Sequence, residues 1–171
     1  MFKIKINIPK KNLLDLDKFY INDKLTQTET SFMNILGGDI DIIVNEKHLY
    51  RKNDSKLVGS YISGWLGYTL LAFLRSISKL ENESKLNIDI YDRSISLKII
   101  NNNNNLLITS DSNDDKLINK INEEVSFSEF REEIFKASKE YLKIVNSIKE
   151  LRKIPSAKKD IESFEKLING L

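Results

Sequence analysis

Apolar and polar residues alternate from the first positions of the chain: Phe2, Ile4, Ile6 and Ile8 take one side, Lys3, Lys5 and Asn7 the other. Period-two alternation predicts a strand with one buried face, and Pro9 closes it because proline has no N–H for a ladder. Residues 10–36 carry no such pattern. Leu13, Leu14, Leu16, Phe19 and Tyr20 allow a short helix or a packed loop, and the polar run from Asn22 to Ser31 reads as loop. Alternation returns after Gly37 and Gly38, where Ile40, Ile42 and Val44 face away from Asp39 and Asp41. Asn45, Glu46 and Lys47 predict a turn, and His48 to Arg51 the returning arm of a hairpin.

The period then changes. Leu57, Val58, Tyr61, Ile62, Trp65, Leu66, Leu70, Phe73 and Ile77 recur at helical spacing, with no charge between Lys56 and Arg75. A helix from Leu57 to Leu80 would be apolar around most of its circumference and would need cover on more than one side, which makes it the expected centre of the fold. A membrane span needs about 20 apolar residues. Here Gly59, Ser63 and Gly67 dilute the run and amphipathic elements surround it, so the expectation is a core helix whose small residues permit close packing.

Beyond it, Leu86, Ile88 and Ile90, then Ile95, Leu97 and Ile99, then Leu106, Leu107 and Ile108 predict a three-strand meander turned at Asp92–Arg93 and within Asn101–Asn105. The asparagine run itself reads as compositional bias of an AT-rich genome. Leu117, Ile121 and Val125, four apart in a polar stretch, suggest a brief helix. Ser126 with Glu129 is a capping-box signature. From there Phe127, Ile134, Tyr141 and Ile148, and in the other phase Phe130, Ala137, Ile144 and Leu151, repeat every seven and predict a long helix. Pro155 is expected to end it and Ser156 to cap a last helix bearing Ile161, Phe164, Ile168 and Leu171. Glu132 with Lys136 and Glu162 with Lys166 are the expected i, i+4 pairs.

The expected fold class is therefore α+β: one antiparallel sheet of about five to six strands packed by the central apolar helix, followed by a C-terminal helical hairpin. It forms one domain over residues 1–171, with 1–125 giving sheet and central helix and 126–171 the hairpin packed on it. A 171-residue chain that is 40 % hydrophobic is long and apolar enough for such a core. The absence of cysteine excludes disulfides, thiolate metal sites and cysteine nucleophiles. The segment MFKIKINIPKK lacks a signal-peptide core, and the expected location is the cytoplasm.

Candidate chemistry is sparse. His48 is the only histidine, so a His-rich metal site is excluded, and no serine lies in a GxSxG setting. Asp15 with Asp17 and Asp39 with Asp41 could each present two carboxylates to a hard cation, but alternation also puts such acids on the solvent face of a strand. Gly37 and Gly38 do not begin a phosphate loop. No catalytic, cofactor or metal residue is assigned, and no cofactor is expected.

Two charged stretches remain. Asp111, Asp114, Asp115, Glu123, Glu124, Glu129, Glu132 and Glu133 outnumber Lys116, Lys120 and Arg131, a local acidic excess on a chain of net charge +2. Such a field can steer a basic partner, and it also complements the start of a helix. The candidate partner-binding residues are Asp111, Asp114, Asp115, Glu123 and Glu124. Lys149, Arg152, Lys153, Lys158 and Lys159 make a basic turn that could touch phosphates, although Glu150 and Asp160 interrupt it.

The stretch GGDIDIIVNEKHLYRKNDSKLVGSYISGWLGYTLLAFL, followed by LNIDIYDRSISLKII, LLITSDS and a C-terminal helix, resembles small immunity proteins of bacterial polymorphic and contact-dependent toxin systems. The likeness runs over residues 38–150 and rests on Trp65, Leu66 and Tyr91; the chain departs from the pattern in lacking a Trp in the meander and in its longer helical hairpin. The resemblance implies a non-enzymatic cytoplasmic protein that binds and neutralises one cognate toxin domain, such as a basic nuclease. It transfers no binding residue. The alternative is a nucleic-acid-binding or regulatory module using the basic turn around Lys153 and Lys158. Either would be a monomer or weak homodimer without membrane attachment.

Overall fold

The structure, a computed structural model, describes residues 1–10, 13, 38–49, 66–90, 95–112, 118–148, 151, 152 and 155–170. The N-terminal alternation forms β1 (Phe2–Asn7), antiparallel to β2 (Asp39–Val44) with Phe2 opposite Val44 and Asn7 opposite Asp39. From β2 the chain turns through Asn45 and Glu46 into the two-residue β3 (Lys47–His48). Both turn residues have positive φ, 46° and 67°. The tight turn that matches strand twist requires this; asparagine adopts it readily and glutamate does not. Gly38 sits where β2 begins. A Cβ there would lie 2.8 Å from Leu66 Cδ2 and 3.0 Å from the Asn7 carbonyl, so the close approach excludes a side chain.

The second sheet is a four-stranded meander of β4 (Lys85–Ile90), β5 (Ile95–Asn102), β6 (Asn105–Ser112) and β7 (Asn122–Ser126), antiparallel throughout and in that order. Asn103 and Asn104, at φ 51° and 73°, make the turn between β5 and β6. Asn101 donates its side-chain amide to the Leu80 carbonyl at 2.8 Å and accepts from the Asn104 N–H at 3.3 Å. The run that reads as compositional bias is therefore a left-handed turn with its own tether.

The α+β class holds, but two expectations are corrected. The strands fall into two sheets, not one: β1 to β3 make the first, where Leu49 continues the β2–β3 pairing by giving its N–H to the Ile42 carbonyl at 2.8 Å, and β4 to β7 make the second. The sheets meet instead at a seam, where Asn119 gives its backbone N–H to Leu49 and its side-chain amide to His48, each carbonyl at 2.8 Å. The brief helix expected around Ile121 and Val125 is the approach to β7 and β7 itself. Both residues are buried and Glu123 shares their face; an acid inside the alternation disguises period two as a spacing of four.

Three helices complete the described fold. In α1 (Leu66–Leu80), Leu66, Leu70, Phe73, Leu74, Ile77 and Leu80 are buried; residues 57–65, Trp65 among them, lie outside the described residues, as does Tyr91. Among the described residues no helix is long and apolar enough to cross a membrane. In α2 (Phe127–Ser147), the Ser126 hydroxyl caps the first turn by accepting from the Glu129 N–H at 3.2 Å. Its core stripe drifts off the heptad, so that Val145 is buried where Ile144 is half-buried, as expected when a straight 3.6-residue helix carries a seven-residue repeat. α3 (Pro155–Gly170) begins on Pro155, which opens this helix and does not close the previous one, because the first helical position needs no N–H. Arg152 reaches Glu165 at 2.6 Å and Asn146 at 2.8 Å, stapling the two ends of the hairpin. Among the described residues Lys136 pairs with Glu133 and Lys158 with Glu162, where spacing led to Glu132 with Lys136 and Glu162 with Lys166.

One hydrophobic cluster joins both sheets to all three helices. Phe2, Phe73 and Phe130 stack within it at centroid distances of 4.8 to 6.3 Å. Each buried Phe contributes roughly 1.5–3 kcal/mol, so this trio ties β1 to α1 and α2. Among the described residues three hydroxyls are buried without a partner: Thr69, Ser138 and Tyr141. Burial raises the Tyr141 phenol far above its usual pKa, and Asp160 and Tyr68 add to the effect.

Candidate functional site

The second sheet buries one face under the helices, through Leu86, Ile88, Leu97, Ile99, Ile108 and Val125. On the opposite face, register lines up Lys85, Ile100, Leu107 and Glu124 in one row and Asn87, Lys98, Thr109 and Asn122 in the next. A third row holds Asp89, Ser96 and Asp111. Ile100 and Leu107 are half-buried on the two central strands of the first row, between Lys85 and Glu124, while Asp89 and Asp111 are exposed in the third. An apolar centre with a charged rim is the usual anatomy of a protein–protein contact.

The structure separates the acids that the sequence groups. Asp111 and Glu124 stand on this open face. Glu123 points the other way: it pairs with Lys47 and accepts from the Asn45 side-chain amide at 3.0 Å, leaving its side chain 20 % exposed. The bond from Lys47, and then that from Asn45, hold its carboxyl below the usual range. Asn45 also donates to the Glu124 carbonyl at 3.1 Å. Glu123 is thus a seam residue, an assignment its neighbours in sequence could not reveal because Lys47 comes from the other sheet. Asp114 and Asp115 lie outside the described residues.

His48 and Asp41 are brought together across the hairpin, with Nδ1 at 2.9 and 3.0 Å from the two carboxylate oxygens. A carboxylate orienting an imidazole is two parts of an acyl-transfer triad. Among the described residues no hydroxyl bonds the other ring nitrogen, and the pair serves as a cross-strand clamp. Asp39 receives the Asn7 amide at 3.1 Å, so the two aspartates engage different partners. Asp15 and Asp17 lie outside the described residues, among which no group of three or more ligating side chains is placed to hold a metal. At the basic turn, Arg152 is bound to Glu165 and Lys158 lies 3.8 Å from Glu162; Lys149 and Lys153 lie outside the described residues.

A groove of about 470 Å³ runs along β4. Tyr68, Ala72, Arg75 and Lys79, one ridge of α1, form one wall, and Asp160 and Ser163 of α3 form another. The third side is β4 itself, the outermost strand of its sheet. Among the described residues no strand pairs with its outer edge, and no alternation of residue types signals which strand of a sheet lies outermost. Comparison with family models, with curated proteins and with solved structures finds no match.

Proposed function

We propose that this chain is a binding protein of the immunity type, which neutralises a cognate bacterial toxin domain in the cytoplasm without catalysing a reaction. The observation that carries this reading is the open face of the second sheet, where Ile100 and Leu107 lie side by side in the row that ends on the exposed carboxylate of Glu124, with the exposed carboxylates of Asp89 and Asp111 two rows along. The apolar pair supplies a desolvated centre, and the carboxylates favour a basic surface such as that of a nuclease. The family resemblance supplies the biological class. The nucleic-acid alternative has less support, because Arg152 and Lys158 already face glutamates.

The test is to mix the purified chain with the toxin domain encoded immediately upstream and to titrate wild type against a Leu107→Ala, Asp111→Lys, Glu124→Lys variant. A tight complex weakened by about 100-fold in the variant is expected, since loss of one apolar contact and reversal of two charges on the face together reach about 2.7 kcal/mol on the order-of-magnitude scale of hot spots. Unchanged affinity would remove this face as the contact, and no complex would remove the immunity reading.

A further inference from the structure

We propose that the free edge of β4 pairs with the same edge of a second copy of this chain, two-fold about Asn87, joining two four-stranded sheets into one. This goes beyond toxin binding and does not depend on it.

The ladder decides which backbone groups are free. The Asn101 N–H donates to the Ser84 carbonyl at 2.8 Å, which makes that pair hydrogen-bonded. In an antiparallel ladder such pairs alternate, so with the observed register Leu86, Ile88 and Ile90 spend their backbone groups on Ile99, Leu97 and Ile95. The tight turn at Asn103–Asn104 gives the same answer independently. It makes Asn102 and Asn105 a bonded pair directed at β6, which leaves Ile95, Leu97 and Ile99 directed at β4. Lys85, Asn87 and Asp89 therefore turn their N–H and C=O groups outward, and among the described residues no strand meets them.

Charge then selects the occupant. A lysine and an aspartate on an exposed edge ordinarily discourage pairing with a foreign strand. Set about a two-fold axis at Asn87, however, Lys85 of each copy lies opposite Asp89 of the other, and Asn87 opposite Asn87. Sliding the strands until Lys85 meets Lys85, or Asp89 meets Asp89, sets like charges against each other, so the sequence favours one register. On the inner side the same register places Leu86 opposite Ile88. The groove shares this polarity. α1 runs into β4 through a short turn, so Lys79 lies at the Lys85 end and Tyr68 at the Asp89 end. Antiparallel juxtaposition brings the basic end of one groove to the acidic end of the other, which is the self-complementarity that a two-fold interface requires.

The test is the mass of the full chain by light scattering and sedimentation into the hundred-micromolar range. A dimer is expected for wild type. Asn87→Pro should be monomeric: it removes an outward N–H that the fold does not use, a change edge strands tolerate, and circular dichroism checks that it folds. Asp89→Lys should weaken dimerisation by about tenfold, and adding Lys85→Asp to it should restore wild-type association, because the swapped charges again match. A wild type monomeric throughout that range, or a dimer indifferent to both Asn87→Pro and Asp89→Lys, would overturn the proposal. So would an Asn87 amide that becomes protected from exchange only when the toxin domain is added, since the edge would then belong to a segment of that partner.

Discussion

At β3, Lys47 pairs with Glu123, Asn45 bonds Glu123 and the Glu124 carbonyl, and Asn119 satisfies the carbonyls of His48 and Leu49. At β4, by contrast, Asn87 and Asp89 line a groove, and among the described residues no strand pairs with this edge. The two edges differ in length before they differ in chemistry. The short strand offers little edge, and side chains from both sides close it, Lys47 and Asn45 from its own and Glu123 and Asn119 from the other, so that all four are taken up by the fold. A six-residue strand keeps a regular edge and leaves its side chains for the surface. This contrast explains why Glu123 belongs to the fold while Asp89, from the same class of residue, belongs to the exterior.

Substitutions on the two sides should therefore behave unequally. Gly38→Ala, on the closed side, forces a Cβ against Leu66 and the Asn7 carbonyl, and overpacking of this kind costs about 1–3 kcal/mol. Asn87→Ala, on the open side, should stay within about 0.5 kcal/mol. Urea midpoints of the two variants measure both, and equal losses would mean that the fold depends on the β4 edge no less than on the seam. Next in size is Asn119→Ala. It removes the side-chain bond to His48 and should cost about 0.5–1.5 kcal/mol; an unchanged midpoint would mean that this bond adds nothing to a seam already held by the other contacts and the shared core.

The elements that obey one period are legible in the sequence. Phe2 to Asn7, the meander from Leu86 to Ile108 and the stripe from Phe130 to Tyr141 each follow from spacing, because burial on one face imposes it. What escapes a sequence reading has a common cause. Glu123 interrupts β7 because its partner Lys47 is distant in sequence, and the seam between the two sheets rests on bonds from Asn119 to His48 and Leu49, residues equally far apart in the chain. Of the acids grouped by the sequence, Asp111 and Glu124 reach the open face and Glu123 does not. The apolar pair Ile100 and Leu107 is not legible as surface because two-sided strands hide which face is covered.

A smaller effect of opposite sign is expected at the turn that leads into β3. Glu46 holds φ at 67°, where a residue with a Cβ is strained by roughly 1 kcal/mol. Glu46→Gly relieves that strain but loosens the unfolded chain, so a net gain of about 0.5 kcal/mol is expected. The same exchange at Asn104, φ 73°, should gain less, because asparagine already tolerates this conformation. A loss on Glu46→Gly would mean that the Glu46 side chain, not the turn geometry, stabilises the hairpin.

The last and subtlest effect is the pH dependence of the seam. Lys47 and Asn45 hold the folded Glu123 carboxyl below its ordinary value of 4.5. A depressed carboxylate contributes stability that is fully present above the unfolded pKa and is lost as pH falls through the folded one, because the unfolded chain takes up the proton first. Glu123→Gln keeps the amide shape and removes the charge, so its urea midpoint should fall below that of wild type at neutral pH, with the gap narrowing once the pH drops below about 4.5. If the Glu123→Gln gap stayed constant through the acid range, the pairing with Lys47 would carry no charge-dependent stability, and the closed edge would be held by hydrogen bonds and packing alone.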